Sequence, residues 1–247
     1  MVAQTHTFAK NGNVWAPGLV PGTCQLNYTC TMRIEQLRTA CQRYSIVGSS
    51  FDDATRDFRR CTKPTFDISD RDHGRALMIW LNRWGCRQFA RRDHQSALMQ
   101  LREWAASNLT CLPHIGAALT DLSDPALISL ASAYDKLRLR QASLKRRNNL
   151  DISVTFGPTG AAKVLYALRP NCCPPWDDDI RKHFRWNGAG ASYISFLRTV
   201  RSEILDLLSD ARQAGIEAND IPHEAGRPDS SLPKLVDEYY WTTIGNH

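Results

Sequence analysis

Residues 156–180, "FGPTGAAKVLYALRPNCCPPWDDDI", decide how this chain is read. Gly157 and Gly160 permit a tight turn, and a helix should follow from about residues 159–161. Backbone N–H groups at a helix start lack partners within the helix and can hold a phosphate, so Gly157, Thr159 and Gly160 are candidate anion contacts. Lys163 falls in the first turn, where the helix dipole disfavours an ammonium and an amine can act as a nucleophile. An ordinary solvated lysine fits the same position. Asp177 then opens a run of three aspartates behind two prolines and Trp176. The prolines should end one element, Asp177 should cap the next helix, and Asp178 and Asp179 complement its dipole. A capping carboxylate at a cleft mouth is also fixed in position, so it can stabilise a sugar oxocarbenium ion or orient a water. Consecutive aspartates splay by about 100° on a helix and cannot converge on one ion. A metal-dependent nuclease is therefore disfavoured, and neither a metal nor a cofactor is expected.

Outward from this stretch the pattern is helical. Residues 31–44 place Met32, Ile34, Leu37, Ala40 and Cys41 roughly on one face, and residues 49–61 begin with a Ser-x-x-Asp start signal. Leu77, Trp80, Leu81 and Trp84 are core candidates of a third helix stopped by Gly85, and Asp93 starts a fourth. The next pattern, residues 123–147, reads as one long helix. Asp124 is its expected cap, Pro125 sits in its first turn, and Arg138, Arg140, Lys145, Arg146 and Arg147 make its last turns basic. Cations suit a helix C-terminus in any case. Residues 150–156, "LDISVTF", suit a short strand; residues 190–215 form a long amphipathic helix, and residues 231–241 the last one. The Gly-, Pro- and Asn-rich residues 1–22 read as an extended arm. The fold class expected is all-α.

The 247-residue chain is 43% hydrophobic and 23% charged, as globular chains are. Its net charge of +6 rests on 24 arginines against 7 lysines. Arginine's planar fork fits phosphate, so the bias suits a nucleic-acid partner, although any solvated cation serves equally on a surface. The eight cysteines contain no C-x-x-C pair and no zinc-finger spacing, so they read as buried small side chains. No stretch of 18 apolar residues occurs and the start lacks a signal-peptide core. A soluble, cytoplasmic protein with no membrane partner is expected.

The central segment resembles the active-site region of helix-hairpin-helix DNA glycosylases, in the bacterial branch similar to 8-oxoguanine glycosylase. The resemblance is carried by Lys163, Leu165, Tyr166 and Pro170, then Pro175, Trp176 and Asp177, with weaker likeness around residues 76–89 and 232–241. Gly157 and Gly160 lie three apart, unlike the family's usual hairpin, and "NNLDISVTF" is a poor first helix for the motif. The resemblance implies a bilobal all-α fold with a DNA-binding cleft between lobes. Its divisions would be an arm (1–22), an N-terminal helical lobe (23–120), a helix-hairpin-helix lobe with the active site (121–215), and a C-terminal helix returning to the first lobe (216–247). It implies a monomer acting on double-stranded DNA, flipping a modified or damaged base and leaving an abasic site. Asp177 would be the essential carboxylate, and Lys163 the attacking amine of a lyase-competent member. The hairpin amides would hold phosphate, joined by Arg146 and Arg147. Trp176, Tyr240 and Trp241 are the candidate walls of the base pocket. Relatives act in repair of oxidised purines, and bacterial glycosylases also excise hypermodified pyrimidines from phage DNA as antiviral defence. A catalytically silent DNA-binding protein on the same scaffold is the alternative.

Overall fold

Why most helices form where they do follows from apolar side chains repeating every three or four residues. In α1 (Ile34–Val47) the repeat buries Ile34, Leu37, Ala40, Cys41 and Tyr44. Helix α2 (Ser49–Cys61) buries Ala54 and Phe58. In α3 (Arg71–Arg83) the buried set is Leu77, Met78, Trp80 and Leu81, and the Asp70 carboxylate accepts the amides of Asp72 and His73. Gly85, at φ 77°, then turns the chain after Trp84. Helix α4 (His94–Asn108) follows, entered through the 3-10 turn Arg91–Asp93. The computed structural model describes residues 32–244, so the arm expected over residues 1–22 lies outside them.

The principal correction concerns residues 123–147. Helix α5 (Asp124–Arg138) is capped by the hydroxyl of Ser123 rather than by Asp124, which instead occupies the first turn. It ends at Arg138 because its buried stripe, Leu127, Leu130, Ala131, Tyr134 and Leu137, meets Arg140 and Gln141 at the next core positions. The chain then becomes strand β1 (Gln141–Arg147), paired antiparallel with β2 (Leu150–Thr155). Asn148 and Asn149, at φ 51° and 62°, form the two-residue turn that two left-handed residues make between twisted strands. Arg146 and Arg147 therefore lie on a hairpin, not on a basic helix end. The strand expected at residues 150–156 is present.

Helix α6 (Gly157–Leu168) leads from the hairpin, followed by α7 (Asp178–His183), α8 (Gly190–Gln213), the short α9 (Ile221–Glu224) and α10 (Leu232–Ile244). The fold is mostly helical, with one two-stranded sheet among the described residues. Helix α10 packs on α1, α7 and α8, while α6 lies between α3 and α5. The first half of the central segment thus sits against helices from the middle of the chain and the second against its last helix. No helix among the described residues is long and apolar enough to cross a membrane.

Candidate active site

Helix α6 begins at Gly157, whose φ of 66° lies in the left-handed region, and no side chain caps it. Its first amides are thus free of a local side-chain acceptor, as an anion contact requires. Gly160 is inside the helix rather than in a turn. A Cβ there would meet the Gln88 amide nitrogen at 2.5 Å and the Phe89 ring at 3.1 Å. That Gln88 nitrogen donates to the carbonyl of Phe156 at 2.8 Å, holding the hairpin exit against residues 84–89. Gly160→Ala should therefore lower stability by about 1–3 kcal/mol, read from a urea midpoint, because the Gln88 bond must break to admit the methyl.

Lys163 occupies the second turn of α6, not the first, so the dipole argument from the helix start does not reach it. Its side chain is buried, its ammonium donates to the Trp84 carbonyl at 2.6 Å, and it lies 5.3 Å from the Trp84 ring. No carboxylate pairs with it among the described residues. The Trp84 ring itself stacks on Tyr166, one turn further along α6, at 5.7 Å.

Asp177 is the N-cap of α7, as the sequence predicts. One carboxylate oxygen accepts the Ile180 amide at 3.1 Å, and the other makes no hydrogen bond among the described residues. The residue is only partly buried. Arg181, buried on the next turn, binds Asp178 at 2.8 Å and donates to the Thr159 hydroxyl at 2.8 Å. This guanidinium joins the open start of α6 to the start of α7. The candidate anion site and the candidate carboxylate, eighteen residues apart between Thr159 and Asp177, are neighbours for that reason.

Asp177 also lies within electrostatic reach of Asp237 on α10, part of a charged cluster that sequence reasoning missed. Lys234 donates to Asp237 at 2.7 Å and Tyr44 at 3.3 Å, approaches Glu238 at 3.5 Å, and sits 5.2 Å from the Trp84 ring. Arg227 clasps Asp52 through two 2.6 Å bonds and reaches Glu238 at 2.8 Å. Burial opposes charge on Lys234, yet Asp237, Tyr44 and Glu238 outweigh it and hold the ammonium well above the usual lysine range. Burial pushes Asp237 up to about 6; Lys234 opposes this and Asp177 adds to it. At neutral pH both are charged. The signal is present as Lys234, Asp237 and Glu238, at i, i+3 and i+4 of one helix, which brings opposite charges together. What hides it is the burial of that face.

A cavity of about 450 Å³ opens beside this cluster, with Asp52, Arg59, Lys63, Tyr166, Arg227 and Lys234 in its wall. Lys163 and Asp177 are not part of that wall. Of the three base-pocket candidates, Trp176 is a core residue: it is fully buried and stacks on Phe196 at 5.0 Å with an interplanar angle of 10°. Tyr240 is buried, with its hydroxyl 3.5 Å from Glu203. Trp241 packs edge-on against Tyr44 at 5.4 Å, which sets it beside the Lys234 cluster. Tyr166, a motif residue to which the sequence assigns no role, is the aromatic that reaches the cavity. Arg146 and Arg147 are exposed on the hairpin and belong to neither the cavity nor the α6–α7 junction.

Comparison with known proteins returns no match: no family model, no curated protein and no solved structure aligns with the chain.

Proposed function

We propose that the chain is a DNA glycosylase that takes a modified or damaged base out of duplex DNA and hydrolyses its N-glycosidic bond. The single observation that carries this reading is the Asp177 carboxylate, fixed through one oxygen by its own helix cap and uncommitted at the other. Arg181, one turn on in the same helix, bonds Thr159 at an uncapped helix start suited to phosphate. As the bond to the base lengthens, positive charge gathers at C1′ and the ring oxygen, and a carboxylate already in place stabilises it without reorganising. Water supplies a hydroxyl to C1′ and a proton to the departing base, leaving an abasic site. The helix-hairpin-helix arrangement, in its bilobal form with a DNA cleft, belongs to the same proposal. In this chain a β-hairpin stands where the first helix of that motif would be.

The Trp84 carbonyl holds the Lys163 amine within the core, which favours water over the lysine as the nucleophile. Lys163→Gln should leave base excision measurable and remove any borohydride-trapped adduct. A strong trap in the wild type, lost in this variant, would show instead that the amine leaves the carbonyl when DNA binds. The reading itself is tested by incubating the protein with genomic DNA carrying ordinary, oxidised, alkylated or glucosylated bases and counting abasic sites with an aldehyde-reactive probe. Sites on one class alone would support the glycosylase and separate repair from phage defence. Duplex binding without sites on any class would identify a catalytically silent DNA-binding protein.

A further inference from the structure

We infer that a groove between α3 and α4, continued by the β1–β2 hairpin, is a second duplex-DNA surface that holds the DNA flanking the target nucleotide. The inference rests on the proposed action on DNA, and it concerns residues that take no part in the α6–α7 site. The groove has a volume of about 980 Å³, and its wall carries six arginines, at 71, 75, 83, 91, 92 and 102, against one carboxylate, Asp72.

Arg71 and Arg75 stand one turn apart on α3, and Arg83 ends the same helix. At 1.5 Å of rise per residue, these three guanidinium groups are spread over about 18 Å of helix. Duplex DNA carries a charge for roughly every 1.7 Å of its axis, so a row of this length meets many phosphates and not one small anion. Arg71, Arg75 and Arg91 make no salt bridge among the described residues. Arg102, by contrast, is braced by the carbonyls of Ile68, Ser69 and Asp70, each at 3.2 Å. Arg83, bound to Asp57 at 2.7 Å, and Arg92, 3.6 Å from Asp93, are the two groove arginines paired with a carboxylate outside the wall among the described residues.

The groove does not stop at α4. Arg92 donates to the Leu144 carbonyl at 3.0 Å, and Asp93 accepts the Leu144 amide at 3.2 Å, so the groove's end is bonded to strand β1. Beyond that joint the hairpin is exposed on both faces. Lys145 lies opposite Ile152 and Arg147 opposite Leu150, which puts two cations and two exposed aliphatic side chains on one face. A two-stranded ribbon fits the major groove of B-DNA, and its aliphatic side chains can contact base edges while its cations reach phosphates. Residues 84–92 connect this surface to the Trp84 carbonyl that holds Lys163. Ser143 of β1 donates to the Gln88 carbonyl at 2.7 Å and the Gln88 side chain donates to the Phe156 carbonyl at 2.8 Å, so the same joint reaches the start of α6.

The test is the salt dependence of binding to an unmodified 25-base-pair DNA duplex, measured by fluorescence anisotropy. The variant Arg71→Ser/Arg75→Ser/Arg91→Ser alters exposed side chains only. It should bind at least tenfold more weakly, with the slope of log affinity against log salt reduced by about 2–3, near 0.9 for each phosphate that is no longer neutralised. The triple Arg→Lys variant should recover most of both. Wild-type affinity and slope in the serine variant would overturn the inference while leaving the glycosylase reading standing. Loss of binding to duplex RNA but not to duplex DNA would also overturn it. If the wild type binds no duplex DNA at all, the proposed function fails first and the inference falls with it.

Discussion

Asp177→Asn should lower base excision by a factor of about 10²–10³ or more, the effect of removing a preorganised stabilising group from a developing charge. It should do so with little change in folding. Asparagine caps helices about as well as aspartate, and its side-chain oxygen can still accept the Ile180 amide that now binds at 3.1 Å. The substitution therefore separates the charge from the cap. Asp177→Ala removes both and should cost about 1 kcal/mol of stability as well. The measurement pairs abasic-site counts with a urea midpoint for each variant. Equal excision by wild type and Asp177→Asn would reduce Asp177 to a helix cap and end the proposed mechanism. A second effect follows from the proximity of Asp237. Removing the charge at position 177 takes away one of the influences that raise Asp237, so Asp237 should titrate lower in the variant.

Lys234→Met should cost about 3–5 kcal/mol, because it leaves Asp237 buried without its cation and Glu238 with Arg227 alone. Methionine keeps much of the volume, so the loss reports on charge more than on packing. The cost should depend on pH in a definite direction. Asp237 is raised in the fold to about 6, above its value in the unfolded chain, so the folded state takes up this proton first. Its linkage contribution to stability accordingly rises as pH falls from about 6 toward 4, opposite to an ordinary surface ion pair. The Lys234 ammonium, raised in the fold, contributes fully below the usual lysine range and is lost only as pH rises through its folded value. Without Lys234 the Asp237 carboxyl is held higher still. The midpoint difference between wild type and Lys234→Met should therefore be largest above the variant's raised Asp237 value, shrink as pH falls from there toward about 6, and level off below it. A difference that stayed constant above pH 6, or grew as pH fell toward 6, would mean that Asp237 is not the group left uncompensated.

Residues 123–147 show where local pattern misleads. The apolar stripe through Leu137 is legible, but the polar residues after it resemble a basic helix end, since cations suit that position. The deciding feature is Asn148-Asn149, a pair able to take left-handed backbone together and so to close a hairpin. That signal is present in the sequence and is outweighed there by the run of cations. Lys163 differs in kind. Its identity and spacing are plain, yet whether its amine faces water or a carbonyl depends on the residue following α3, some eighty residues earlier in the chain. Trp176 likewise suits wall or core; Phe196 and Tyr193 on α8 make it core.

The sequence by itself determined the helical class, most helix positions and the Asp177 cap, because those depend on side-chain periodicity and on hydrogen bonds closing within three or four residues. Only the tertiary structure decided which charges are buried together and which stay exposed. Lys234 could not be known to face Tyr44 until α10 packed on α1, nor Arg227 to clasp Asp52 until the segment before α10 met α2, and the arginines of α3 became a groove only when residues 91–102 closed its other side. The reason is physical: a charge's consequence is set by its surroundings, which long-range packing supplies, while a helix's consequence is largely set by its own neighbours along the chain.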